Sequence, residues 1–259
     1  LTLSQDDIAA FERDGFVVLH EAFSSELAEH CRSVLWQALG LSPERPSEWT
    51  EPVVRLGQFA GPVREAANTP RLHAAYDQLV GAGRWLAPQT LGTFPIRFPS
   101  ATAAVDTGWH IDVSFGTEHP DFMQWRANVR SRGRALLMLF LFTDVGENDA
   151  PTRIRVESHR RVARLLADAG EEGLTLGEMV AADFGGTADC SEAVAVGPAG
   201  TVYLCHPFLV HAAQDHRGSN VKMMAQPPLL PSRGALRLER DVGDYSPVER
   251  AIRNALGEA

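Results

Sequence analysis

The spacing of apolar residues changes character about a third of the way along the chain. Near the start, Ile8, Ala9, Ala10 and Phe11 follow Ser4, Asp6 and Asp7, which predicts a capped amphipathic helix with acidic residues at its positive end, closed by Gly15. Phe16-Val17-Val18-Leu19-His20 then reads as a short strand, and Ser24 and Ser25 open a second helix running to about Leu39. Residues 41–50 carry Pro, Ser, Glu and Trp without a period and form a loop, and a further helix is predicted over 70–81.

Beyond Trp85, short apolar runs at 93–98, 135–144, 153–156, 193–196 and 201–205 are separated by Gly, Pro, Asn and Asp, an all-β pattern. Residues 162–184 interrupt it with a helical segment and an acidic, glycine-containing excursion that reads as an insertion. The expected architecture is mainly β with flanking helices, a sandwich or jelly roll with the N-terminal helices packed on one outer face. No repeat or low-complexity tract divides the chain. One domain is expected, with a helical front part over 1–85, a β core over 86–230 and a C-terminal tail over 231–259.

Composition narrows the partners. Of the 259 residues, 44% are hydrophobic and 22% charged, enough apolar material for a sizeable core. The net charge of −9 is spread along the chain and argues against nucleic acid and anionic membrane, leaving a small molecule as the expected partner. The longest apolar run, 135–142, is too short to span a bilayer, and the opening residues lack the basic-then-apolar pattern of a secretion signal. Cys31, Cys190 and Cys205 have no short repeated spacing, which excludes a disulfide framework or a cysteine zinc site and fits a cytoplasmic setting. Every basic residue among the 24 is arginine except Lys222.

Candidate chemistry sits in Gly108-Trp109-His110-Ile111-Asp112. On a strand, residues i and i+2 point to one face, so His110 and Asp112 are able to converge on one ion while a distant strand supplies a third ligand. Two histidines and a carboxylate leave coordination positions open, which favours Fe(II) oxygen chemistry over closed structural zinc. His20, His30 and His73 fall in the helical part as packing or surface residues, while His119 and His216 lie in loops. His206 and His211 are five apart and would face opposite sides of one unbroken strand; Pro207 interrupts the pairing, and periodicity does not choose between them.

Gly108-Trp109-His110-Ile111-Asp112, the segment Ala150-Pro151-Thr152-Arg153-Ile154-Arg155-Val156-Glu157-Ser158-His159 and the segment Cys205-His206-Pro207-Phe208-Leu209-Val210-His211-Ala212-Ala213 resemble the phytanoyl-CoA dioxygenase family of Fe(II)/2-oxoglutarate-dependent oxygenases. Phe11-Glu12-Arg13-Asp14-Gly15-Phe16-Val17-Val18-Leu19 is similar to the family's N-terminal signature, so the resemblance covers about residues 3–230 in family order. It implies a double-stranded β-helix core of cupin-like form, with Fe(II), 2-oxoglutarate and O2 as cofactor and cosubstrates. The same resemblance makes His110, Asp112 and His211 the metal ligands and catalytic centre, His206 a packing residue or a support behind the ligands, and His159 structural or pocket-lining. The implied reaction is hydroxylation of an unactivated C–H bond in a small molecule. A carboxylate at Asp112 speaks against halogenation, which similar folds carry out with a small residue there.

Family members hold the distal carboxylate of 2-oxoglutarate with an arginine at the place where this chain has Lys222. Lysine keeps the charge but lacks the planar fork that grips a carboxylate with two parallel bonds. Weaker cosubstrate affinity is one expectation; takeover by Arg97 or Arg155, a different keto acid, or a neutral exchange are the others. Phe115, Trp125 and Arg126 are candidate substrate contacts, and Val113 is bulkier than the glycine expected after the motif. Two rivals stand beside the oxygenase: a catalytically idle jelly-roll binding protein, and a metal-dependent isomerase or hydrolase of cupin-like form.

Overall fold

The computed structural model describes residues 2–239 and 244–258. In chain order its helices are α1 (Gln5–Asp14), α2 (Ser25–Leu39), α3 (Pro62–Ala67), α4 (Pro70–Val80), α5 (Ser158–Ala167), α6 (Leu176–Ala181), α7 (Asp183–Gly186) and α8 (Pro247–Leu256). The strands are β1 (Phe16–Leu19), β2 (Val53–Leu56), β3 (Trp85–Leu86), β4 (Phe94–Arg97), β5 (Arg126–Ala127), β6 (Leu136–Leu141), β7 (Thr152–Arg155), β8 (Leu174–Thr175), β9 (Glu192–Ala195), β10 (Val202–Cys205), β11 (His211–Ala212), β12 (Met224–Ala225) and β13 (Pro228–Pro231).

Local chemistry explains the opening. The Ser4 side chain accepts from the Asp7 amide and the Asp7 carboxylate accepts from the Ser4 amide, a reciprocal cap that starts α1. Gly15 ends it in the left-handed conformation at φ +90°, and a Cβ there would lie 2.5 Å from His159 Nδ1. Ser24 and Thr69 cap α2 and α4 by accepting from Leu27 and Leu72.

All the strand pairings are antiparallel among the described residues. The larger sheet runs β1-β10-β6-β13-β3 with β12 also on β6, and a smaller one runs β11-β7-β9. Strand β6 shows how the layers form. Its six residues are all buried, so it reads as a continuous apolar run. Leu136, Met138 and Phe140 join the cluster that holds the helices, whereas Leu137, Leu139 and Leu141 meet Ile154 and Ala195 of the smaller sheet. The larger sheet therefore lies between a helical layer and the smaller sheet.

The molecule is a mixture of helix and antiparallel sheet, which corrects the mainly β expectation. Helices are not confined to the front: α5 places Val162, Ala163 and Leu166 in the helix-side cluster, and the expected C-terminal tail forms α8, with Val248, Ala251, Ile252 and Ala255 buried. Helix α8 packs against α1, α4 and α5. Its position is fixed by Glu249, a carboxylate only 2% exposed that accepts from the amides of Ser246 and Arg237 and pairs with Arg84. No helix among the described residues is long and apolar enough to cross a membrane.

His206 and His159 form a buried pair under this layer, ring centroids 4.9 Å apart. His159 Nε2 rests on Glu12 O at 3.1 Å and His206 Nε2 on Val248 O at 3.3 Å, tying α5 to α1 and the end of β10 to α8. Burial is the main cause that lowers both pKa values, His159 to about 4.

Removing Glu249 as Glu249→Ala leaves two amides without their acceptor and takes a buried carboxylate from Arg84 and Arg237, and should lower stability by about 3 kcal/mol in urea unfolding; an unchanged midpoint would contradict the anchoring role. The histidine pair sets an acid limit. Unfolded histidine titrates near 6.5 while folded His159 does so near 4, so the unfolded chain binds the extra proton between these values and stability falls as pH drops through that window, by on the order of 3 kcal/mol. His159→Gln should flatten the slope of unfolding midpoint against pH over the same range.

Candidate metal centre

His110 and His211 face each other across an antiparallel bridge in which each amide donates to the other's carbonyl, at 3.0 and 2.9 Å. Directly opposed residues present their side chains on one face, and the two imidazole centroids lie 4.3 Å apart with the planes at 57°. The bridge hangs on β11, whose His211 is in register with Ile154 of β7. The chain turns between Cys205 and His211, so His206 directly follows β10 of the larger sheet while His211 opens β11 of the smaller. Parity along one strand could not have separated them because no single strand contains both.

Each imidazole is also oriented. His110 Nδ1 sits 2.9 Å from Gly108 O and His211 Nδ1 3.0 Å from Leu209 O, in each case the carbonyl two residues back. A proton on Nδ1 satisfies that carbonyl and leaves the Nε2 lone pair as the open donor. His211 Nε2 is buried without a hydrogen-bond partner. Burial, reinforced by His110, lowers the His211 pKa to about 3, so the ring is neutral, the form that binds metal.

Asp112 follows His110 by two residues, with its side chain 20% exposed and Oδ2 3.6 Å from Arg134 Nε. Burial raises its pKa against the opposing charges of Arg134 and His110. The structure brings the two histidines together but does not close the third corner: among the described residues, no group of three His, Cys, Asp or Glu side chains converges as a metal-holding set.

Arg97 and Lys222 occupy a second antiparallel bridge, exchanging backbone bonds of 3.0 and 2.9 Å. Lys222 is 1% exposed; its Nζ donates to Ala150 O at 2.6 Å and to Thr152 Oγ1 at 3.5 Å. Burial, then the Arg97 charge, pushes the ammonium well below its ordinary pKa. Arg97 bonds Asp106 Oδ2 through Nη2 at 2.8 Å, while its Nη1 is buried without a partner. Asp106 would be raised by burial, but the Arg97 hydrogen bond and charge, with Arg55 behind, hold it below the usual carboxylate range.

A cavity of about 800 Å³ borders His110, with Arg55, Asp106, Trp109, Arg155 and Asp183 among its polar and aromatic wall. Arg153 and Arg155 lie over the Trp109 ring at 4.5 and 4.4 Å. Arg155 Nη1 also donates to Asp183 Oδ1 at 2.9 Å and to Thr187 Oγ1 at 2.8 Å.

The sequence matches no protein-family model and no curated protein. Solved structures do match. A crystal structure of EctD from S. alaskensis with 2-oxoglutarate and 5-hydroxyectoine is 20% identical over 91% of this chain and 79% of its own, with a TM-score of 0.58. HygX from Streptomyces hygroscopicus with nickel and 2-oxoglutarate bound is 16% identical over 89% and 88%, TM-score 0.56. SnoK, a non-heme alpha ketoglutarate dependent carbocyclase from nogalamycin biosynthesis, is 17% identical over 88% and 84%, TM-score 0.55. The fold is shared. At these identities it is the fold alone that the likeness establishes.

The remaining expected contacts lie elsewhere than on the cavity wall. Arg126 donates to the carbonyls of Glu172 and Gly173, Trp125 Nε1 donates to His119 O, and Phe115 lies under Arg132. Their neighbours Phe122 and Met123 line the cavity instead. The one sequence signal for them was a pair of large apolar residues inside a polar loop. His216 bonds Asn220 O at 2.6 Å and His159 is enclosed by α1 and α5, so neither borders this cavity.

Proposed function

We propose that the chain is an Fe(II)- and 2-oxoglutarate-dependent dioxygenase of the phytanoyl-CoA dioxygenase type, built on a double-stranded β-helix, that hydroxylates an unactivated C–H bond of a small molecule. The observation that carries the reading is the His110–His211 bridge, which aligns two imidazoles with both Nδ1 atoms facing backbone carbonyls. A further support is where unpaired polarity collects. Of the nine buried side-chain atoms without a hydrogen-bond partner among the described residues, six belong to Arg97, Asp106, Arg134, Arg153, Arg155 and His211 around this centre.

His110 and His211 would hold the metal through Nε2, and Asp112, two residues on along the same strand, would supply the carboxylate by leaving Arg134. Fe(II), 2-oxoglutarate and O2 together supply an oxidation in which the keto acid is decarboxylated to succinate while a substrate C–H bond is hydroxylated. The distal carboxylate of the keto acid fits the free Nη1 of Arg97 with the Lys222 ammonium beside it. Buried Ile111 and Val113 flank Asp112 and keep water from its strand. A catalytically idle binding protein is the second reading, favoured by Lys222, whose ammonium is engaged by Ala150 O.

Succinate release with Fe(II) and 2-oxoglutarate separates the two: turnover is expected, and silence with intact iron binding supports the idle binder. His110→Ala or His211→Ala should weaken Fe(II) binding by more than about 100-fold in calorimetric titration, since even outer partners of metal ligands contribute 10- to 100-fold. Arg97→Met and Lys222→Met should each raise the KM for 2-oxoglutarate by about tenfold through loss of one charge-assisted bond, with iron affinity unchanged. An unaltered KM in both variants would remove these residues from the clamp.

A further inference from the structure

We infer that the cavity beside His110 takes a neutral small molecule with an apolar body, selected by Phe122, Met123 and Val180. The inference rests on the proposed oxygenase reading only in making that molecule the substrate. Six large hydrophobic side chains are exposed among the described residues, and four of them, Val105, Phe122, Met123 and Val180, line this one cavity. The other two, Leu86 and Leu230, are cross-strand partners on a different face. Buried Leu176 and Phe184 extend the same apolar surface inward. A concentration of water-facing apolar side chains rimmed by polar groups marks a contact surface, and about 800 Å³ is within the range of small-molecule sites.

The rim is held rather than loose. The turn Phe122–Gln124 is capped by Asp121, whose Oδ1 accepts from the Met123 amide at 2.9 Å, and Phe122 packs edge-on against Trp125 at 5.2 Å. It sits directly on α6, where a Cβ at Gly177 would lie 3.4 Å from Met123 O. Across the cavity, Asp183 and Phe184 adopt φ values of +43° and +50°, a conformation unfavourable for non-glycine residues. Asp183 is kept there by Arg155 and by the Ala188 amide at 2.7 Å.

Charge decides the head of the ligand. Apart from His110, the ionisable wall residues are Arg55, Asp106, Arg155 and Asp183, paired as Arg55–Asp106 and Arg155–Asp183. Among the wall residues neither sign is in excess, with Asp106 shared between Arg55 and the Arg97 behind it, and the paired groups offer neutral polar ligands both donors and acceptors.

The test is fluorescence titration of two naphthalene probes against the whole protein, without metal or keto acid: neutral 6-propionyl-2-(dimethylamino)naphthalene and anionic 1-anilinonaphthalene-8-sulfonate. The neutral probe should bind saturably at one site and more tightly than the anionic one. Phe122→Ser combined with Val180→Ser should raise its Kd by about tenfold through lost apolar contact, while Leu86→Ser combined with Leu230→Ser leaves it unchanged. Both substituted pairs are nearly half exposed, so folding tolerates them, which circular dichroism checks. Preference for the anionic probe, or equal losses in the two double variants, would overturn the inference. Probe binding in a protein that releases no succinate would sink the oxygenase reading and leave the cavity assignment standing; succinate release with no probe binding does the reverse.

Discussion

The reciprocal backbone bonds between His110 and His211 set the distance on which the candidate centre depends. Side chains alone would let two imidazoles wander through several rotamers, and ordering them would carry an entropic penalty at the moment of metal binding. Here the bridge fixes the two Cα atoms, and the carbonyls of Gly108 and Leu209 fix each ring's tautomer. Asp112 stands apart from this pair, with Arg134 Nε 3.6 Å from its Oδ2.

Electrostatics around that bridge follows from burial. Lys222 and Arg97 are two basic side chains brought together by a backbone bridge, with Asp106 as the carboxylate between Arg97 and Arg55. Burying a cation is costly unless it is paired, and the low local dielectric amplifies both the penalty and any compensating bond. Lys222 meets the requirement through a carbonyl, whereas Arg97 keeps a donor free.

The outer parts of the molecule serve this interior. The larger sheet shows one face to the smaller sheet that carries His211 and the other to the helices, so a displacement of α8 would reach β10 through Val248 and His206. Close approaches where a side chain will not fit, as at Gly15 against His159, lock the end of α1 to α5. Positive φ at Asp183 and Phe184 is confined to the cavity wall, where the local cost is offset by the Arg155 and Ala188 contacts.

Much of the scaffold was legible in the chain because local rules suffice for it. Caps at Ser4 and Ser24, the stop at Gly15 and the apolar run at 135–144 specify their elements through short-range sterics and hydrogen bonding. Strand β2 and helix α8 were missed because their stability comes from partners far along the chain: Val53 pairs with Arg97, and the α8 anchor Glu249 with Arg84. For the same reason periodicity left His206 and His211 alike, while contacts with distant segments set one beneath α8 and the other opposite His110. Residue types and spacings determine which chemistry the chain can carry. Which of those residues meet, and which atoms stay unpaired inside, is decided by contacts between distant segments that no local pattern encodes.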